Sequence, residues 1–150
     1  MHVTIETATP RNLEELLKIE RECFEAEAYT REHVLDLLNN RNAFTQIARV
    51  NGDAAGFVTG LVDSGEDVKA GHIVTIDVAV AYRRKGLGLT LLKEMENVLK
   101  KRGVKTIYLE VRVDNQAALK LYHKQGYVRT KSLKHYYSAG VHGLRMVKQL

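Results

Sequence analysis

The chain has 150 residues, 45% hydrophobic and 27% charged, with a formal net charge of +5. That is enough chain to bury a core without metal or disulfide staples, and the single cysteine, Cys23, excludes an internal disulfide. No apolar run approaches the roughly 20 residues of a membrane span, and MHVTIETATP has no basic-then-apolar export signal, so one cytoplasmic domain over residues 1–150 with no membrane association is expected.

His2 to Thr7 alternates as a short strand. Thr9-Pro10 then opens a helix, a hydroxyl cap followed by proline, carrying Leu13, Leu16, Leu17 and Ile19 to about Phe24. Thr30 caps a second helix with Val34, Leu35, Leu37 and Leu38 on its buried side. Phe44–Val50 and Ala54–Val62 read as strands around an Asn51-Gly52-Asp53 hairpin turn, and His72–Ala81 as a further Val/Ile-rich strand. Helical spacing returns at Leu87, Leu91, Leu92, Met95, Val98 and Leu99 and ends near Gly103. Thr106–Val113 is a strand, and Asp114 caps a helix carrying Ala118, Leu119 and Tyr122 that stops near Gly126. Tyr127–Tyr136 and Gly143–Leu150 complete the chain as strands. The order β-α-α-β-β-β-α-β-α-β-β predicts an α/β (α+β) domain, a mixed sheet flanked by helices on both faces.

The junction between the fourth strand and third helix reads VAVAYRRKGLGLTLL. A helix start exposes unpaired N–H groups and attracts anions; Arg83, Arg84 and Lys85 add full charges there, and Gly86 and Gly88 remove β carbons where a ligand would approach. The spacing fits neither a Walker A loop nor a dinucleotide fingerprint. A solvated basic turn is the competing reading at this point.

R-x-x-G-x-G after the strand GHIVTIDVAVAY resembles the acetyl-CoA-binding segment of the GNAT acetyltransferase superfamily. LEVRVDNQAALKLYHKQGY, Leu109 to Tyr127, resembles a second block of that family, with Glu110, Asn115, Ala118, Leu121, Tyr122, Gly126 and Tyr127 at its anchor positions. The likeness runs end to end and implies a single GNAT domain with a mostly antiparallel sheet. It also implies acetyl-CoA as cofactor: Arg83, Arg84, Lys85, Gly86, Leu87, Gly88 and Leu89 about the pyrophosphate, Asp77, Val78, Ala79 and Val80 along the pantetheine, and Asn115 and Tyr122 as further cofactor contacts.

Within the superfamily the chain is most similar to the N-terminal acetyltransferases of the RimI and archaeal NatA-like type. The E-V-R-x-x-N form and KHYYSAGVHGLRMVKQL, a Tyr-Tyr-x-x-G before a final strand, carry that likeness; Val141 and His142 replace the acidic residues common after the glycine. The resemblance implies Glu110 as general base and Tyr122 as general acid. Protein or peptide N-termini would be the acceptor, contacted by Phe24, Tyr29, Tyr136 and Tyr137, with an auxiliary subunit compatible. Each role has a plainer competitor: Glu110 paired with Arg112 or a lysine, the tyrosines packing. An internal lysine or small amine is the alternative acceptor, and a non-catalytic nucleic-acid or acyl-CoA binding module the alternative class. No histidine spacing suggests a metal, no aromatic-interleaved basic sheet or recognition helix suggests nucleic acid, and Cys23 on an apolar helix reads as a buried thiol.

Overall fold

The computed structural model describes residues 2–64 and 69–150. Its strands are β1 (Val3–Thr7), β2 (Ala43–Val50), β3 (Asp53–Ser64), β4 (Lys69–Val78), β5 (Thr106–Arg112), β6 (Val128–Ser138) and β7 (Val141–Gln149). Its helices are α1 (Leu13–Phe24), α2 (Arg31–Asn39), α3 (Leu87–Lys101) and α4 (Gln116–Lys124). The strands form one sheet in the order β1-β2-β3-β4-β5-β7-β6. The β4–β5 pair is parallel and the other pairs are antiparallel, so the element order and mixed sheet are those the sequence predicts.

Strand alternation divides the core in two. Ile47 and Phe57 point to one face, where Leu13, Leu16, Leu17 and Ile19 of α1 and Val34 of α2 cover them. Ala48 and Val58, next along the same strands, point to the other, under Leu87, Leu91, Leu92, Met95 and Leu99 of α3. Each such leucine contributes about 1.5–3 kcal/mol by leaving water. The β2–β3 connection is the two-residue Asn51-Gly52 turn, with φ of 50° and 91°, the left-handed pair that a tight hairpin demands.

Several boundaries differ from the sequence reading, each for a local reason. Thr9 caps a single 3-10 turn, Pro10–Asn12, and Asn12 reciprocates by accepting the Thr9 N–H, before α1 begins. β4 ends at Val78, not Ala81, because Val80–Tyr82 winds into a 3-10 turn whose entry is fixed by Ala79 N–H donating to Ala55 O. Asn115, not Asp114, caps α4: its Oδ1 accepts the Ala118 N–H, while both Asp114 oxygens are taken by Arg112. β6 and β7 run on to a tight Ala139-Gly140 turn, with Ser138 opposite Val141, while Tyr127 precedes β6 as a fully buried residue.

The feature that positions the site is a bulge. Thr75 pairs with Thr59 and Ile73 with Gly60, leaving Val74 as an extra residue in β4. Beside it the parallel pairing of β4 with β5 covers only Ala70–His72 opposite Thr106–Tyr108. β4 stays paired to β3 as far as Val78, and β5 to β7 as far as Arg112. The two central strands therefore part, and the β5-facing edge of residues 73–78 has no strand partner among the described residues.

Candidate active site

A cleft of about 140 Å³ occupies the gap between β4 and β5. Glu110 projects from β5, Asn115 and Tyr122 from α4, and Tyr136 and Tyr137 from the end of β6; Phe24 and Tyr29 close it from the α1–α2 connection. These are the seven residues predicted for catalysis, cofactor arm and acceptor outside the strand and loop that lead to α3.

Glu110 is a charge-stabilised carboxylate, its side chain 8% exposed. His72 Nε2 lies 2.6 Å from Oε1, and Arg145 Nε donates to Oε2 at 3.1 Å. Burial pushes its pKa up, but the bonds and charges of His72 and Arg145 outweigh this and leave it below the ordinary value. The predicted competitor, Arg112, is committed elsewhere: it binds both Glu27 oxygens and Asp114, tying the α1–α2 connection to the end of β5. His72 and Arg145 are the residues the sequence reading missed. His72 precedes the bulge and stacks on Tyr108 at 4.5 Å, and Arg145 stands opposite Glu110 in the β5–β7 register.

Tyr122 is a buried phenol in edge contact with Tyr127, ring centroids 5.8 Å apart. Burial, reinforced by the Asp77 carboxyl, drives its pKa far up and keeps the proton on Oη throughout the neutral range. Tyr136 and Tyr137 meet edge to face at 5.0 Å, Tyr136 being 49% exposed at the mouth. Tyr29 Oη donates to the bulge carbonyl of Val74 at 3.4 Å, and burial raises its pKa to about 12.

The predicted cofactor segment lies beyond the cleft, along β4 and into α3. The first bond into α3 is Thr90 N–H to Gly86 O, so the amides of Leu87, Gly88 and Leu89 have no main-chain partner among the described residues. Gly86 caps the helix at φ +83°, and Arg84 is left-handed too at +62°, which curls the loop into a concave run of amides. No acidic residue lies in the first turn, and among the described residues neither Arg84 nor Lys85 enters an ion pair. A β carbon at Gly88 would meet only Leu121, at 3.5 Å, so packing does not require glycine there. This cradle suits a pyrophosphate. Arg83 serves the turn itself, donating to Val78 O at 2.9 Å and to Cys23 Sγ at 3.4 Å. Asp77 stands opposite Phe57 and so on the α1 face, away from the cleft, and Val80 N–H is held by Glu22 at 2.6 Å, so the edge available to an extended arm ends at Val78. Cys23, its thiol raised to about 11 chiefly by burial, keeps its proton in the neutral range and points it at the Val78 carbonyl at 3.4 Å.

Residues 13–127 match the family profile described as the acetyltransferase (GNAT) family. The chain is 32% identical over 145 residues to an N-alpha-acetyltransferase of Sulfurisphaera tokodaii, covering 91% of this chain and 86% of that protein. Its fold superposes on the ribosomal-protein-S18-alanine N-acetyltransferase from Escherichia coli with a TM-score of 0.86, at 26% identity over 99% of this chain and 94% of the other. A chain of the NatC complex bound to Gag peptide and CoA gives a TM-score of 0.86 at 25% identity, covering 100% and 99% of the two chains.

Proposed function

We propose, for a chain that belongs to the acetyltransferase (GNAT) family, that it transfers an acetyl group from acetyl-CoA to the free N-terminal α-amine of a protein or peptide. The observation that carries the reading is the pairing, across one cleft, of an ionised carboxylate linked to an imidazole with a phenol that keeps its proton. The relatives' names supply the acceptor class.

Acetyl-CoA, when bound, supplies an activated acetyl thioester. Arg84, Lys85 and the amides of Leu87 to Leu89 hold its pyrophosphate, and the unpaired edge of β4 as far as Val78 lies along its arm. Asn115, whose Oδ1 already caps α4, offers its amide nitrogen to the same arm. Glu110 accepts the proton of the attacking amine, directly or through water. Tyr122 Oη holds a proton for the departing sulfur.

An α-amine has an unperturbed pKa of about 7.7–8.0 and a lysine about 10.4, so neutralising lysine costs about 3.3 kcal/mol more. A carboxylate held below its ordinary pKa is a weak base suited to the easier of the two. Phe24, Tyr29, Tyr136 and Tyr137 form the aromatic wall for the acceptor's first residues. An auxiliary subunit that redirects the activity belongs to this reading, supported by the likeness to a chain of the NatC complex. The setting we assign is cytoplasmic, supported by a sole cysteine that stays a thiol. Mass spectrometry of peptides varying in the first residue, incubated with protein and acetyl-CoA, tests the reading. Acetylation of unblocked peptides is expected; CoA binding with no acetylated peptide would make the chain an acyl-CoA binder instead.

A further inference from the structure

Two carboxyl groups on the α1 side of the cleft have no part in the transfer reaction: Glu20 lines the cleft, and Asp77 does not. Glu20, on the last buried turn of α1, and Asp77, near the end of β4, are each 1% exposed. Glu20 Oε2 accepts the Tyr29 N–H at 3.0 Å, and Asp77 Oδ1 accepts the Thr75 hydroxyl. Their remaining oxygens, Glu20 Oε1 and Asp77 Oδ2, are buried and have no partner among the described residues, and Glu20 faces the same small cavity as Thr75, whose hydroxyl is bonded to Asp77. The nearest cation, Arg83, gives its hydrogen bonds to Val78 O and Cys23 Sγ, and no cation pairs with either carboxyl among the described residues. Two buried carboxylates that feel each other's charge cannot both stay ionised; a proton between the two orphaned oxygens satisfies both.

We propose that Glu20 and Asp77 share one proton, and that this proton seats α1 against β4 and so fixes Tyr29 as part of the acceptor wall. The pair acts through Tyr29, whose N–H is held by Glu20 and whose hydroxyl reaches the Val74 bulge, so Glu20 and Asp77 are positioning residues. Burial first, then the Glu20 bond and charge, raises Asp77 well above the carboxylate range, against smaller pulls from Thr75 and Arg83. The other titratable groups feeling the pair are Cys23, Tyr29 and Tyr122, each kept protonated in the neutral range. Loss of the shared proton at alkaline pH would set two negative charges against each other and part α1 from β4. The contribution to stability is therefore present at low pH and lost as pH rises through the raised pKa.

The role in acceptor binding rests on the peptide reading; the shared proton does not. Carbon-13 carboxyl NMR of the free protein tests the proton directly. One carboxyl of the pair should stay protonated above the ordinary carboxylate range in the wild type, and this late titration should be absent in D77N, whose amide is a permanent donor. Affinity of the CoA-loaded protein for an N-acetylated peptide, which has no titrating amine, tests the positioning. It should weaken about tenfold per pH unit above the pair's upper pKa in the wild type and lose that dependence in D77N and E20Q. Both carboxyls titrating in the ordinary range would overturn the shared proton. The same alkaline weakening in wild type and D77N would overturn the positioning role. No peptide affinity at any pH, with the late titration present, would remove the peptide reading and the role in acceptor binding while leaving the pair.

Discussion

Replacing Glu110 by glutamine removes a charge while keeping the shape. The carboxylate sits between His72 Nε2 at 2.6 Å and Arg145 Nε at 3.1 Å, with its side chain 8% exposed. One amide oxygen can keep the Arg145 bond, but the nitrogen then facing His72 is a donor and cannot take up a proton. A positioned general base contributes about 10²–10⁴-fold, or roughly 2.7–5.4 kcal/mol of barrier, so kcat/KM for an unblocked peptide should fall by that factor near neutral pH. The pH profile carries the sharper signature. Because His72 and Arg145 overcome the effect of burial and hold Glu110 below the usual carboxylate range, the wild-type base is ionised throughout the neutral region. In the variant the proton leaves only to solvent, so the pH of half-maximal rate moves up. Stability gives a second check: the ion pairs of a depressed carboxylate stabilise the fold above its unfolded pKa and lose that effect as pH falls through the folded one. E110Q should lack this acid-side loss. A stopped-time assay of peptide acetylation over the pH range, with thermal melts at acid and neutral pH, measures both. Unaltered kcat/KM and an unaltered profile in the folded variant would refute Glu110 as the base.

Y122F retains the buried ring and its contact with Tyr127, so the variant should fold and bind acetyl-CoA as the wild type does, by calorimetry. Its kcat should drop by about 10²–10⁴-fold through loss of the proton donor; an unchanged kcat would remove Tyr122 from the mechanism. G86A puts a β carbon into open space at φ +83°, so its cost is backbone strain of about 1–2 kcal/mol and a fall in Tm of about 2–8 °C. Acetyl-CoA affinity should fall with it, and an unshifted melt would mean that the loop relaxes freely. R84A combined with K85A should weaken acetyl-CoA about tenfold at low salt and less at high salt, since exposed charge is screened. A pantetheine thioester without phosphates should bind both proteins alike, and equal weakening of that analogue would place the two cations elsewhere.

The element order was legible because each element carries its own period, and the Arg83–Leu89 turn because charge and glycine coincide at a strand-to-helix junction. The bulge at Val74 was not: an apolar run through IVTIDV looks continuous, and only pairing with β3 shows the extra residue. With it went the point where β4 and β5 part, hence the cleft. Asn115 and Asp114 are equally good caps by type, and Arg112, two residues before Asp114, decided between them by capturing the aspartate. The partners of Glu110 lie on strands distant in sequence, so no local spacing could reveal them. Glu20 did leave a trace, falling on the stripe of Leu13, Leu16 and Leu17 and so on the buried face of α1. The Asp77 it meets there comes from a strand 57 residues on, and only tertiary structure brings the two together.

The most direct measurement is acetylation of one peptide that carries both a free N-terminal amine and an internal lysine, with the modified nitrogen located by fragmentation mass spectrometry. Acetyl on the α-amine, strongly reduced in E110Q and Y122F, is the predicted result. Acetyl on the lysine with the N-terminus untouched would contradict the account.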